Sequence, residues 1–259
     1  MINQKARAEA FKSLHKPGDP LVLFNAWDAG SAKAVAAAGA KAIATGSWSV
    51  AAAHGYPDGE GLPLELAIAN LARIVAAVDL PVTIDLEAGY GAGPDAVGES
   101  VTRAIQAGAI GFNLEDQVID GDGLYSIDDQ AARIRAARAA ADRLSIPAFI
   151  NARTDVFLKA DAPKHDAVLL DAALLRAAAY ADAGASGLFV PGLVDAGLIG
   201  KLCTASPLPV NVMVLPALPP RVQLAKLGVA RISHGPGPYR LAMQFLEKAA
   251  REALAPVVR

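Results

Sequence analysis

Short apolar runs recur along this chain, and each begins after a proline or a glycine. Four follow a proline directly: Leu21 to Asn25 after Pro20, Val82 to Glu87 after Pro81, Ala148 to Arg153 after Pro147, and Val210 to Val214 after Pro209. Four others follow a glycine that closes an alanine-rich stretch, at Gly39, Gly108, Gly184 and Gly228. Proline is tolerated at the first residue of a strand, and a glycine after a helix adopts the left-handed cap conformation. The two classes alternate strictly. Eight continuously apolar strands, as buried parallel strands are, with helices between them predict an α/β fold of the (β/α)8 TIM barrel type.

The intervening segments agree with this reading. Pro63 is placed to start a helix at its first position, and Leu64, Ile68, Leu71, Val75 and Val78 follow with helical spacing. Ser126 with Asp129 reads as a capping box for an arginine-rich helix through Arg143, with Ile127, Ile134 and Leu144 as its apolar stripe. No linker or low-complexity segment divides the chain, so residues 1–259 are expected to form a single barrel domain.

Three of the predicted strands end in charge. Side chains alternate along a strand, so Asp85 with Glu87, Asn113 with Glu115, and Asn151 with Arg153 each project to one face. Barrels carry their chemistry at the carboxyl ends of the strands, where these acids and the arginine would converge. Such a set suits a divalent metal and an anionic small molecule. Asn25, Asp85, Asn151 and Asn211 hold comparable places on the four odd strands, and together they predict a polar layer under the mouth.

Composition narrows the setting. A chain of 259 residues is long enough for a large core, and its net charge of -2 gives no reason to expect nucleic acid or an anionic membrane as partner. Hydrophobic residues make up 53%, yet no apolar stretch approaches the roughly 20 residues of a membrane span, and Met1 to Leu14 lacks a signal-peptide core. The single cysteine, Cys203, excludes an intramolecular disulfide and a thiolate metal cluster. These features predict a soluble, cytoplasmic protein.

The segments Thr45-Gly46-Ser47, Pro57-Asp58, Asp85-Leu86-Glu87-Ala88-Gly89-Tyr90-Gly91, Asn113-Leu114-Glu115-Asp116 and Asn151-Ala152-Arg153-Thr154-Asp155 resemble the isocitrate lyase and phosphoenolpyruvate mutase superfamily. The resemblance runs from the first strand to Tyr239. It implies Mg2+-dependent chemistry on a small 2-oxo or 2-hydroxy acid through an enolate-like intermediate. It also implies a homo-oligomer, dimer or tetramer, that exchanges its carboxyl-terminal helix. By the same resemblance Asp85 is the direct magnesium ligand, with Glu87 and Glu115 acting directly or through water. Arg153 anchors the substrate carboxylate, and Asp58 lies beside the metal shell, the two being the catalytic candidates. Gly46, Ser47 and Trp48 contact substrate, and Asn211 sits in the pocket.

Departures from that pattern shape the expected reaction. The family's lyases carry a lysine, a cysteine and a histidine in the loop after strand four, whereas Gln117 to Tyr125 contains none of these, nor the mutase's lysine and asparagine. Cys203 lies in a helix before strand seven and cannot replace the lyase cysteine. Phe189-Val190-Pro191-Gly192 stands where the lyases have a glutamate, and the Asp-x-Asp metal motif is Asp-x-Glu. The expected activity is therefore a Mg2+-dependent carbon-carbon lyase on a small dicarboxylate, with oxaloacetate decarboxylation as one form. Phosphonopyruvate hydrolysis or phosphoenolpyruvate mutation is the alternative, and a non-catalytic oxo-acid-binding barrel the third reading. Plainer roles stand beside the chemical ones: a salt bridge of Asp85 and Glu115 with Arg153, a turn residue for Asp58, a packing role for Trp48, and structural roles for His54 and His234. Gly235 to Pro238 reads as a helix-starting turn rather than a phosphate cradle.

Overall fold

A computed structural model describes residues 4–119 and 121–255. All eight expected strands are present: β1 Leu21–Leu23, β2 Ile43–Ala44, β3 Val82–Asp85, β4 Gly111–Glu115, β5 Phe149–Arg153, β6 Gly187–Phe189, β7 Val210–Met213 and β8 Arg231–Ser233. The sheet runs β1-β8-β7-β6-β5-β4-β3-β2, every pairing parallel. Its remaining seam is closed just past β1, where the Ala26 N–H donates to the Ala44 carbonyl at 2.8 Å and Ala26 bridges Thr45. The result is a (β/α)8 TIM barrel. The four glycines expected to end helices, Gly39, Gly108, Gly184 and Gly228, all have φ between 90° and 104°, which a Cβ would oppose.

Among the described residues, ten α-helices surround the strands: α1 Gln4–Ser13, α2 Ala29–Ala37, α3 Ser47–Ala53, α4 Leu64–Ala77, α5 Pro94–Gln106, α6 Ile127–Arg143, α7 Ala167–Asp182, α8 Ala196–Ala205, α9 Arg221–Lys226 and α10 Gly237–Leu254. Pro63 is the N-cap of α4 rather than its first helical residue, with ψ 138° in the extended region. Ser126 caps α6 as expected, accepting from the Asp129 N–H and donating to Asp129 Oδ2 at 2.6 Å. The buried stripe of α6 differs from the expected one. Ile127 and Leu144 are half-buried, and Ala131, Ile134, Ala137, Ala140 and Ala141 face the core. Alanines there let α6 close tightly against its neighbours, a role that a count of bulky apolar residues overlooks.

The lower end of the barrel is plugged by α1. Phe11 is fully buried and meets Phe149 of β5 edge to face at 5.6 Å, while His15 stacks on Phe149 at 3.9 Å. Room for the Phe149 ring comes from Gly187 on β6, where a Cβ would lie 2.8 Å from two ring atoms. Burial, with the Arg231 charge assisting, pushes the His15 imidazole down to about 3, so it is neutral.

The helix α10 stands apart from this packing. Leu241, Phe245, Leu246 and Leu254 are all exposed along it. A groove of 560 Å³ lies on the outside of the barrel beside β1, lined by Leu21, Val22, Phe24, Val35 and Arg221 among others. Among the described residues, no helix is long and apolar enough to cross a membrane.

Candidate active site

The carboxyl ends of β2 to β5 bring the predicted acids and arginine together. Asp85 is the last residue of β3, level with Asn113 of β4, which is in turn level with Asn151 of β5. Glu115 and Arg153 end those two strands as register partners. Strand alternation stops at Asp85, however. Glu87 sits in the left-handed region with φ 50°, so its carboxylate reaches the mouth through a turn rather than along a pleat. The sequence rationale for Glu87 is corrected accordingly, although its side chain does arrive near Asp85.

That turn is held by side chains. The Glu60 N–H donates to Glu87 Oε2 at 2.6 Å, the Tyr90 O–H to Glu87 Oε1 at 3.3 Å, and the Tyr90 N–H to Glu60 Oε1 at 2.7 Å. Glu60 and Tyr90 also have positive φ, at 60° and 56°. Three non-glycine residues in the left-handed region within one small cluster store strain where ligand chemistry is expected. Burial lifts the Glu87 carboxyl to about 7, and the charges of Asp85, Asp58 and Glu60 push the same way.

Asp85 is the least committed of these acids. Its Oδ2 accepts from the Ser47 N–H at 3.3 Å and its Oδ1 from the Glu87 N–H at 3.4 Å, both long, while its own N–H donates to Thr45 Oγ1. Gly46 is the N-cap of α3, which is why the Ser47 amide points at Asp85. Asp58, on the exposed turn before Glu60, is raised by partial burial and by the Asp85 charge, with the Ser47 hydroxyl and Arg153 opposing. It therefore lies close enough to Asp85 for the two charges to act on each other. A small cavity of about 10 Å³, enough for one water, lies between Thr45, Ser47, Asp85, Glu87 and Tyr90.

Arg153 is clamped from two sides. Its Nε and Nη2 donate to Asp155 Oδ1 and Oδ2 at 2.6 and 2.7 Å, and its Nη1 reaches Glu115 Oε2 at 2.6 Å. Burial works against this charge, but Glu115 and Asp155 override it and hold the guanidinium protonated. Asp155 takes the side-on fork and Glu115 takes one Nη1 hydrogen, which leaves one hydrogen on each of Nη1 and Nη2 for a further carboxylate. For Glu115, burial raises the carboxyl well above its ordinary value while Arg153 pulls it down. The expected salt bridge thus forms with Glu115, while Asp155 supplies the bidentate partner. Asp155 is held in turn by its N–H donating to Asp116 Oδ1, and Asp116 accepts from Tyr180 and Arg176.

The remaining candidates are placed less centrally. Asn211 is 1% exposed and bonds Ser233 at 3.2 Å inside the barrel. Asn25 accepts from the His234 and Gly235 amides and donates to the Thr45 carbonyl. Asn25 and Asn211 of the expected odd-strand layer thus bond to groups at the ends of neighbouring even strands. Trp48 lies under the Arg240 guanidinium at 4.5 Å and edge-on to Tyr239 at 5.9 Å, beside the start of α10. His54 bonds the Val50 carbonyl, and His234 packs on Phe24. In the loop after β4, Gln117 pairs with Leu124 in an antiparallel bridge and the Val118 N–H donates to Gly123, so its base is closed. Asp120 lies outside the described residues.

Among the described residues, no three His, Cys, Asp or Glu side chains form a ready-made metal cage. Mg2+ does not require one, since it keeps several waters and takes one or two carboxylates. Asp85 fits that demand, its oxygens holding only long bonds, with the charges of Asp85 and Glu87 helping to raise the Glu115 carboxyl. Sequence reasoning missed Asp155, Glu60 and Tyr90. Asp155 carried a signal, being two residues beyond Arg153 on the same face, whereas Glu60 carried none.

Comparison with known proteins bears on this geometry. The family model described as phosphoenolpyruvate phosphomutase matches residues 11–254. A crystal structure of a candidate phosphonomutase from Burkholderia cenocepacia J2315 is 56% identical, covers 97% of this chain and 100% of its own, and superposes with a TM-score of 0.95. An uncharacterised Mycobacterium tuberculosis protein is 36% identical over 244 residues, 93% of this chain and 88% of that one. The 2-methylisocitrate lyase of Escherichia coli K12 is 31% identical over 217 residues, 76% of this chain and 70% of the enzyme. An oxaloacetate decarboxylase of Ectopseudomonas mendocina is 27% identical over 207 residues, 76% of this chain and 67% of that one. A phosphonopyruvate hydrolase solved with oxalate and Mg2+ shares the fold at a TM-score of 0.82 and 21% identity, covering 97% of this chain and 92% of its own.

Proposed function

This chain belongs to the phosphoenolpyruvate phosphomutase family, within the isocitrate lyase superfamily, and from that premise we propose that it is a Mg2+-dependent lyase decarboxylating a small 2-oxo dicarboxylate such as oxaloacetate. The observation that carries the reading is the pairing of the two uncommitted Arg153 hydrogens with the loosely held Asp85 carboxylate, in a mouth whose β4 loop has no thiol. Asp85 would hold the metal, with Glu87 and Glu115 in its outer shell, and a metal bound there would act as a Lewis acid on the 2-oxo group. Arg153, locked in orientation by Asp155, grips the carboxylate next to that group, and the Ser47 amide and Trp48 line the approach. Loss of carbon dioxide breaks the bond between the third and fourth carbons. The electron pair stays as an enolate, and a proton from solvent completes pyruvate. No strong acid is needed at the departing carbon, so a loop without cysteine suffices.

Cleavage of isocitrate or methylisocitrate makes a harder demand, since the departing succinate carbanion must be protonated. The loop from Gln117 to Tyr125 offers only Asp120, Asp122 and Tyr125 for that task. Negligible turnover of either substrate is expected. A second reading, phosphorus-carbon chemistry on phosphonopyruvate or phosphoenolpyruvate, is favoured by the 56% identical phosphonomutase candidate. A panel of oxaloacetate, phosphonopyruvate, isocitrate and methylisocitrate with Mg2+ separates the readings. Carbon dioxide supports the decarboxylase, phosphate the hydrolase, and ligand binding without product the non-catalytic barrel.

The reading extends to a homo-oligomer that exchanges α10. Its support is the row of exposed apolar side chains on α10 and the 560 Å³ groove beside β1, surfaces of matching character on one chain. Truncation before Gly237 should convert the oligomer seen by sedimentation into monomers. An oligomer of unchanged size would remove α10 from the interface.

A further inference from the structure

A second arginine projects into the barrel, and among the described residues no carboxylate touches it. Arg231 of β8 is 1% exposed. Its Nε donates to Ser233 Oγ at 3.2 Å and its Nη2 to Asn113 Oδ1 at 3.3 Å, while Nη1 has no hydrogen-bond partner. The same Asn113 oxygen accepts from Asn151 Nδ2 at 2.9 Å, and Ser233 is shared with Asn211. Neutral dipoles alone therefore hold this guanidinium. Burial pushes it down to about 9 against the pull of the Asp85 charge, which leaves it protonated at neutral pH.

A cation taken out of water ordinarily faces a carboxylate, because desolvation is otherwise uncompensated. Arg153 obeys that rule twice over, with Glu115 and Asp155 both bound to it. Its charge is spent on those partners, and Asp58, Asp85 and Glu87 add more negative charge around the mouth. Arg231 is the opposite case. It is linked to the level of Asp85 through Asn113, the register partner of both Asp85 and Asn151. Among the described residues it touches no anion; its field reaches down to His15 and the Asp85 charge pulls on it from the mouth, so it also acts on what the mouth binds.

We propose that Arg231 is a positioning residue for substrate charge, an unshared buried cation behind the Asn113–Asn151 pair that makes the site favour doubly over singly charged ligands of one shape. This rests on the dicarboxylate reading above. Coulomb energy scales with the product of the charges, so removing Arg231 costs a dianion twice the free energy it costs a monoanion. Oxalate and oxamate are such a pair, nearly identical in shape and differing by one charge.

The test is titration calorimetry of both ligands at saturating Mg2+ on the whole protein, with Arg231→Met, Arg231→Gln and Arg231→Lys. For the uncharged variants the fold-loss for oxalate should be the square of that for oxamate, for example about 25-fold against about 5-fold. Arg231→Lys should recover most of the oxalate affinity. Arg231→Met should melt no lower than the parent, because an apolar side chain replaces an unpaired charge. If Arg231→Met does not fold, Arg231→Gln, which keeps a polar amide, decides. Equal fold-losses for the two ligands, or none, would reduce Arg231 to a filler of the barrel and overturn the inference. A parent protein that binds neither ligand would defeat the dicarboxylate reading itself, a result distinct from equal losses on a parent that binds both.

Discussion

The two ends of this barrel are built to different rules. At the lower end, Phe11, His15 and Phe149 stack into one another, all three are buried, and the His15 imidazole is held neutral. At the upper end, Glu60, Glu87 and Tyr90 have left-handed backbone, three carboxyls are raised by burial and mutual repulsion, and one arginine is gripped by two acids. The lower end gains stability from packing with little strain. The upper end concentrates more acids than Arg153 neutralises, an arrangement that a bound cation would relieve. On the function proposed above, stability and chemistry are segregated along the barrel axis, and variants at the two ends should fail in different ways.

The largest effect should come from Asp85→Ala. Loss of the least committed carboxylate should abolish Mg2+ binding in calorimetry and activity with it, while the circular dichroism spectrum stays that of the parent. Full activity after exhaustive chelation would break the assignment of the upper end as a metal site. Next, Arg153→Ala should reduce kcat/KM on the order of a hundredfold or more through lost orientation of the substrate. It should also lower the melting temperature, because Glu115 and Asp155 are left buried without a partner. Arg153→Lys should stay folded yet remain impaired, since an ammonium cannot serve Asp155 and a substrate carboxylate with one planar fork.

The lower end should show the reverse split. Phe11→Ala removes a fully buried ring and should cost about 3–5 kcal/mol of stability in denaturant titration, with kcat/KM unchanged well below the melting temperature. A fall in kcat/KM as large as that in stability would show the two ends to be coupled. The smallest effects concern pH, and their signs differ. His15 has a folded value depressed to about 3 from an ordinary 6.5, so its contribution is present above 6.5 and is lost as pH falls toward 3. Glu87 has a folded value raised to about 7 from 4.5, so in metal-free protein its contribution is present below 4.5 and is lost as pH rises through 7. His15→Phe should flatten the acid limb of the stability profile and Glu87→Gln the neutral limb. The same change in both variants would erase the distinction.

The strand count, the barrel and the convergence of Asp85, Glu115 and Arg153 were legible in the chain itself. Proline and glycine act on their own backbone torsions, and alternation acts over two residues, so both leave local marks. Pro20 and Gly39 mark strands whatever lies across the barrel from them. Three other features depended on partners far away in sequence. Glu87 turns out of its strand because Glu60, 27 residues earlier, offers its amide. The buried alanines of α6 matter because α5 approaches closely, which no periodicity of bulky residues announces. Arg231 reads as an ordinary charge in the run Val229 to Ser233, yet the fold places it inside the barrel against Asn113, 118 residues away. Local patterns determined where the elements begin and end. Only closure of the barrel decided which polar groups share an interior, because desolvation and charge act through space and not along the chain.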